Sequence, residues 1–318
     1  MSNPPPLRQV WHDLQDILTD GTPGDDNLTA GNGTFVLSGY AGYDTLNGSD
    51  QSDTLFGGGG KDLLYGAGAD DLLAGGFGYD VLDGGTGQDT LRGGDGLDNL
   101  NGGDNNDALF GGTGADYLNG FTGDDLVYGG TGLDRMLGWS GNDSLYGGAD
   151  SDNITADIGD DVLFGGQGVD QLEGGGGADL LDGGLYLDLL FGGTDTDRLF
   201  GGLGNDSLYG GDGNDTVFGG DGDDTLYFDN GDDKIYGGSG ADSYSLSHFT
   251  ENSHDTVSGF DPLIERLLLS SFAVTDFTAL TENAVQSGNH LILHLGTSTI
   301  QLNNTTLDEL DSGNVFFL

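Results

Sequence analysis

The sequence predicts an all-β chain wound as a right-handed, β-helix-like solenoid, a parallel β-roll, flanked by a short N-terminal helix and a C-terminal β cap. Three observations predict it. From residue 21 to residue 245 the chain divides into 25 blocks of nine residues with no insertion or deletion. The blocks share the pattern G-G-x-G-x-D-x-U-x, where U is aliphatic; residues 201–209 (GGLGNDSLY) and 210–218 (GGDGNDTVF) are clean copies. Glycine supplies 65 of 318 residues, well above its usual share of roughly 7%, and a Gly-rich chain that holds register over this length is a repeat and not a disordered tract.

Each block reads as a tight turn followed by a very short strand. Glycine permits positive φ and close backbone approach in the turn. In the triplet x-U-x, alternation sends U to one side and its neighbours to the other. U is Leu, Ile, Val or Met in 24 of 25 blocks, Tyr244 being the exception, so Leu46, Leu55, Leu64 and their successors are expected to stack into a narrow core. Two blocks make one coil, and successive coils stack as parallel strands about 4.8 Å apart. The fourth position is Gly in 19 of 25 blocks, replaced by Gln51, Ala69, Asn105, Asp150, Tyr186 and Asp195. Asn and Asp tolerate the left-handed region; Gln and Tyr do so poorly.

Ninth positions face outward, and twelve of them are aromatic. Phe56, Phe110, Tyr128, Tyr146, Phe164, Phe200, Phe218 and Tyr236 fall in even-numbered blocks and are expected on one sheet. Tyr65, Phe191, Tyr209 and Tyr227 fall in odd-numbered blocks and belong to the other. Such a ladder stabilises a sheet through cross-strand neighbours, or offers a face for self-association or glycan stacking.

Three regions follow. Residues 1–20 hold Leu7, Val10, Trp11, Leu14 and Leu18 at helical spacing, which predicts an amphipathic helix over 7–18 that caps the first coil or docks a partner. Residues 21–245 are the roll. Residues 246–318 lose the repeat; 260–272, 290–295 and 299–302 read as longer strands and 307–310 as one helical turn.

The charge narrows the function. With 54 acidic residues against 7 Lys plus Arg, the net charge of −47 disfavours nucleic acid and anionic membranes and favours cations. No cysteine is present, so no thiolate metal site exists. No apolar run reaches the roughly 18 residues of a membrane span, and residues 1–20 lack the basic and apolar regions of a signal peptide. No enzyme is expected. H-E-x-x-H and G-x-S-x-G are absent, and His290 and His294 read as strand residues, where i and i+4 lie far apart. About 20 residues precede the repeat, too few to bury a catalytic core.

The chemistry that remains is in the sixth column, which is Asp in 24 of 25 blocks, Phe35 being the exception. With the G-G-x-G-x-D-x-U-x pattern across 21–245, this column closely resembles the RTX (hemolysin-type) calcium-binding nonapeptide repeat family. The resemblance implies Ca²⁺ between turns stacked one coil apart, bound by sixth-position carboxylates and loop carbonyls, with Asp80 sharing ions with Asp98 and Asp206 with Asp224. The ligands carried over are Asp44, Asp62, Asp80, Asp89, Asp98, Asp107, Asp116, Asp125, Asp134, Asp143, Asp161, Asp170, Asp179, Asp188, Asp197, Asp206, Asp215, Asp224, Asp233 and Asp242. At most 23 sites fit between coils of 25 blocks. Roughly 15–20 are expected, all-oxygen sites of the kind calcium prefers, with the edge near Phe35, Gln51 and Ala69 calcium-poor.

Further expectations rest on the same resemblance. The apolar tail at 315–318 is similar to that of type I secretion substrates, which implies export through a type I exporter of a Gram-negative-type bacterium and folding outside the cell. The expected role is a secreted structural or adhesive protein of the cell surface or matrix; the alternative is the folding and secretion module of a larger exported enzyme or toxin. Partners other than calcium would be a second copy or surface glycans. One further feature stands apart: Phe121 and Trp139 replace the second-position glycine in blocks twelve and fourteen, on one edge and one coil apart. They read as two tolerated substitutions packed together, or as a small binding patch.

Overall fold

The computed structural model describes residues 18–246, 253–269 and 276–317. The chain forms two compact units, Met1–Gly148 and Ala149–Leu318. In the first, one sheet contains Leu18–Asp20, Val36–Gly42, Thr54–Gly60, Leu72–Gly78, Thr90–Gly96, Ala108–Thr113 and Leu126–Thr131. The facing sheet contains Asn27–Thr29, Thr45–Asn47, Leu63–Gly68, Val81–Thr86, Asn99–Asp104, Tyr117–Thr122 and Arg135–Ser140. Neighbours in each sheet are parallel and two blocks apart, so Leu100 pairs with Leu118 and Leu109 with Val127. The eighth-position side chains from Leu37 to Leu145 are fully buried between the sheets.

The second unit repeats the plan. Val162–Gln167, Leu180–Leu185, Arg198–Leu203, Thr216–Asp221 and Lys234–Ser239 form one sheet, and Asn153–Ile158, Gln171–Gly176, Leu189–Thr194, Ser207–Asp212, Thr225–Phe228 and Ser243–Leu246 the other. The aromatic residues of even and odd blocks separate onto different sheets, as the two-block coil requires. On the first sheet Phe110 stacks on Tyr128 and Tyr128 on Tyr146, with centroids 5.4 and 4.6 Å apart. On the second, Tyr209 stacks on Tyr227 at 4.0 Å.

The strands are longer than the expected triplet. Most run six residues, from the seventh position of one block through the third of the next, leaving only positions four to six for the turn. Glycine makes this possible. The first two glycines of a block lie in register with those one coil away, as Gly94 does with Gly112, and nothing on either Cα keeps the backbones apart.

The loops differ in character along the chain. In the first unit Tyr43, Tyr79, Leu97 and Leu133, all exposed, occupy fifth positions of odd-numbered blocks. In the second, Val169 and Leu187 do so, joined by exposed Leu185, Tyr186 and Leu203. Other fifth positions are polar: Asp70, Asn106, Asp124, Asn142, Asp160, Asn214 and Asp232 in even-numbered blocks, and Asp25, Asn205 and Asp223 in odd-numbered ones. These polar side chains accept from the backbone N–H one coil on, as Asp70 does from Gln88 at 2.9 Å and Asn106 from Asp124 at 3.0 Å.

Past the repeat the parallel stacking continues with irregular spacing. His254–Ser258 adds to Lys234–Ser239, Arg266–Leu269 adds to Ser243–Leu246, and Val315–Phe317 adds to Arg266–Leu269. Ser298–Asn303 lies parallel to His254–Ser258, then pairs antiparallel with His290–Leu295, which pairs antiparallel with Val285–Ser287. His290 and His294 therefore sit on one strand, as expected. Of the strand expected over 260–272, the described residues form Arg266–Leu269, with a turn in place of its start; residues 270–272 lie outside the described residues. Ahead of that strand the carbonyl of Asp261 accepts from the N–H groups of Ile264 and Glu265, which makes a turn, and Pro262 has no N–H for a ladder. A helix at Phe277–Glu282, capped by the Asp276 side chain, was not expected. The helical turn expected at 307–310 is a 3-10 turn at Leu307–Glu309, with Thr306 and Glu309 forming a capping box. The N-terminal helix expected over 7–18 lies outside the described residues except for Leu18, which opens the strand Leu18–Asp20. Among the described residues no helix is long and apolar enough to cross a membrane.

Candidate metal centre

The sixth-position aspartates stand just before each strand, at the point where the turn re-enters the sheet. All those expected as ligands are almost fully buried. In the first unit they form two columns. Asp44, Asp62, Asp80 and Asp98 each donate their backbone N–H to Oδ1 of the Asp one coil on, at 2.8 Å throughout. Asp116 does the same to Asp134. The second column runs Asp53, Asp71, Asp89, Asp107, Asp125, Asp143 by the same bond. In the second unit the columns are Asp152, Asp170, Asp188, Asp206, Asp224, Asp242 and Asp161, Asp179, Asp197, Asp215, Asp233, Asp255.

That bond uses one oxygen of each carboxylate. The other, Oδ2, is buried without a hydrogen-bond partner at Asp44, Asp62, Asp71, Asp80, Asp89, Asp98, Asp107, Asp116, Asp125, Asp170, Asp179, Asp188, Asp197, Asp206, Asp215, Asp224, Asp242 and Asp255. A buried acceptor left this way is costly, and far more so when ionised. Except at Asp255, which lies past the repeat, each Oδ2 lies against the first-position glycine of its own block. At Gly93 a Cβ would stand 2.5 Å from Asp98 Oδ2 and 2.6 Å from the carbonyl oxygen of Gly111, one coil on. The same cradle recurs at Gly165, between Asp170 Oδ2 at 2.5 Å and the Gly183 carbonyl at 2.7 Å. An unsatisfied carboxylate oxygen and a backbone carbonyl thus converge where glycine leaves room.

Burial sets the electrostatics. Desolvation, opposed by the backbone N–H and reinforced by neighbouring carboxylates, raises Asp98 and Asp224 to about 7 and Asp107, Asp197 and Asp233 to about 8. A cation between coils would reverse this penalty. The donors fit one: all are oxygens, hard and partly anionic, which suits calcium and excludes soft-metal chemistry. Among the described residues no group of three or more His, Cys, Asp or Glu clusters at one point, so carbonyls must complete any coordination shell.

Some positions depart from the sequence pattern. Asp71 and Asp255, absent from the expected ligands, have the same orphaned Oδ2. Asp255 carried a visible signal, since Asp-Thr-Val-Ser repeats the D-x-U-x end of a block beyond its last full copy. Asp53, also left out, is satisfied without a cation: Ser49 donates to its Oδ2 from N–H at 2.7 Å and from Oγ at 2.9 Å. Asp26 receives the same pair of bonds from Thr22. At the last coil Glu265 takes the place of a sixth-position Asp. Buried and raised to about 7 chiefly by desolvation, it accepts from the Asp261 N–H at 2.7 Å and the Tyr244 hydroxyl at 3.2 Å.

A family model described as RTX calcium-binding nonapeptide repeat matches in overlapping stretches that run from residues 36–64 to 209–244. The chain belongs to this family. It is an RTX repeat protein, and calcium is the cation its family binds. No curated protein matches the chain. Among solved structures it is similar to the crystal structure of extracellular lipase LipA from Serratia marcescens, at 16% identity and a TM-score of 0.21, covering 90% of this chain and 42% of the lipase. The RTX chain thus spans less than half of that protein's length.

Phe121 and Trp139 lie in register on Tyr117–Thr122 and Arg135–Ser140. Their rings are 6.3 Å apart and nearly parallel.

Proposed function

We propose that this RTX protein is secreted and non-enzymatic, folds on binding roughly 15–20 calcium ions, and serves the cell surface or extracellular matrix as a structural or adhesive element. The observation that carries this reading is the series of buried aspartates whose Oδ2 atoms have no protein partner and face backbone carbonyls one coil away. Calcium supplies the positive charge that these oxygens require. The protein supplies the rest: Oδ1 fixes each carboxylate against the next coil, first-position glycine admits Oδ2, and the turn presents its carbonyls. Asp71 and Asp255 join the expected ligands, and Asp26 and Asp53 stand outside them.

The segment after the repeat supports export in the same reading. We read the strands after the repeat as a β cap, and the apolar residues 315–318 as a tail of the kind carried by type I substrates of Gram-negative-type bacteria. Folding would wait for the calcium concentrations found outside the cell.

A calcium titration followed by circular dichroism tests the proposal. A cooperative gain of strand signal between sub-millimolar and millimolar calcium is expected. The fourfold variant Asp80→Asn/Asp98→Asn/Asp116→Asn/Asp134→Asn keeps the Oδ1 acceptors and removes four Oδ2 charges, so its midpoint should move to severalfold higher calcium. A signal indifferent to calcium in both proteins would sink the calcium-folding reading. Cell fractionation with an antibody to the chain decides the surface role, which fails if the protein remains in the cytoplasm.

A further inference from the structure

The outer face of Tyr117–Thr122 and Arg135–Ser140 differs from the rest of the solenoid. Alternation places Tyr117, Asn119 and Phe121 on one strand beside Arg135, Leu137 and Trp139 on the next. Phe121 and Trp139 occupy a position that glycine fills in most blocks, and both have left-handed backbones, with φ of +78° and +76°. Bulky aromatic residues rarely adopt this region, and strain of this kind collects at functional sites. The rings remain 39% and 47% exposed.

The packing on the same two strands is also unusual. Ninth-position residues are half-buried or exposed throughout the repeats, with three exceptions: Asn119, Leu137 and Ser245. Asn119 and Leu137 stand two positions before Phe121 and Trp139 on the same two strands, paired with each other in register. Asn119 is only 6% exposed, and its Oδ1 has no hydrogen-bond partner. A buried amide oxygen without a partner is an acceptor open to a donor. Asn99 and Asn101 continue the row of amides on the adjoining strand, and Gly103 leaves bare backbone beside Phe121. Arg135 sits 5.6 Å over the Tyr117 ring.

We propose that this face is a binding site for neutral hexose oligosaccharides. Parallel aromatic rings offer flat apolar surfaces to the C–H faces of sugar rings, while the Asn119 amide and its neighbours meet hydroxyl groups. The net charge of −47 disfavours polyanions and leaves a neutral polymer as the matching ligand. The site requires the folded repeat and does not depend on the adhesive role.

The test titrates cellohexaose, laminarihexaose and maltohexaose separately into the full chain in millimolar calcium, following tryptophan fluorescence and binding heat. Saturable binding of at least one is expected. Phe121→Gly/Trp139→Gly restores the residue other blocks carry, so calcium-induced folding should persist by circular dichroism while sugar affinity drops at least tenfold. Absence of binding by all three, or unchanged affinity in the glycine variant, overturns the proposal. Self-association abolished by the same variant, without sugar binding, would assign the face to a second copy instead. Because folding is read separately, a failure here is distinct from a failure of the calcium reading.

Discussion

At the scale of single residues, the first-position glycine and the sixth-position aspartate form one device. The pairing of types is plain in the sequence, but the reason for it is not. It lies in Oδ2 resting against the glycine Cα, which a linear pattern cannot display. Gly93→Ala should therefore damage the site more than an ordinary strand substitution. Its Cβ meets Asp98 Oδ2 and the Gly111 carbonyl, neither of which can move freely. Overpacking of this kind costs about 1–3 kcal/mol. The expected outcome is a higher calcium midpoint for folding, and an unchanged midpoint would mean that the cradle relaxes without cost. The difference between Asp53, held by Ser49, and Asp71, left open, depends on one second-position residue, through its N–H and its hydroxyl together. Serine there can be read in the sequence; the direction of its hydroxyl cannot.

At the scale of elements, nine-residue register determined most of the architecture: parallel pairing, the two-block coil, the aliphatic core and the partition of aromatic residues between sheets. Strand length was underestimated because glycine is read as turn, whereas stacked glycines extend the ladder. The segment after residue 245 was less legible. Without a repeat, only short apolar runs remain, and those do not distinguish the parallel pairing of Arg266–Leu269 from a longer strand, nor reveal Phe277–Glu282. The aromatic ladder permits a quantitative check. Tyr128 stands between Phe110 and Tyr146, stacked on both. Tyr128→Ala removes two ring contacts worth about 0.5–1.5 kcal/mol each beyond area burial. In calcium-loaded protein, the denaturant midpoint should fall by more than for Tyr65→Ala, whose register neighbours are Asn47 and Asp83. Equal losses would show that the ladder adds nothing to packing.

At the scale of the whole molecule, the buried carboxylates make folding a matter of charge. The unfolded chain titrates these groups near 3.8, whereas the folded, calcium-free chain holds Asp98 near 7 and Asp107 and Asp197 near 8. The folded state thus binds more protons between these limits. Its calcium-free stability is fully present below about pH 4 and is lost as pH rises through about 6 to 8. Circular dichroism of chelator-treated protein should show strand structure in acid that melts out toward pH 8; a flat profile would contradict the burial of the columns. Calcium should reverse the trend, since protons compete for the same oxygens, and its midpoint should fall as pH rises.

The assignment of odd and even blocks to different sheets carries a consequence for how such a chain can change length. Every block obeys one nonapeptide rule, yet odd and even blocks are not interchangeable. Inserting or removing two blocks preserves parity: downstream residues return to the same sheet and the same edge. Removing one block preserves the motif and violates parity. Tyr128 would trade sheets with the residues now opposite it, and the loops bearing Leu97 and Leu133 would exchange edges with those bearing Asn106 and Asp124. The repeat visible in the letters is nine residues long; the unit that can be inherited without rearrangement is eighteen.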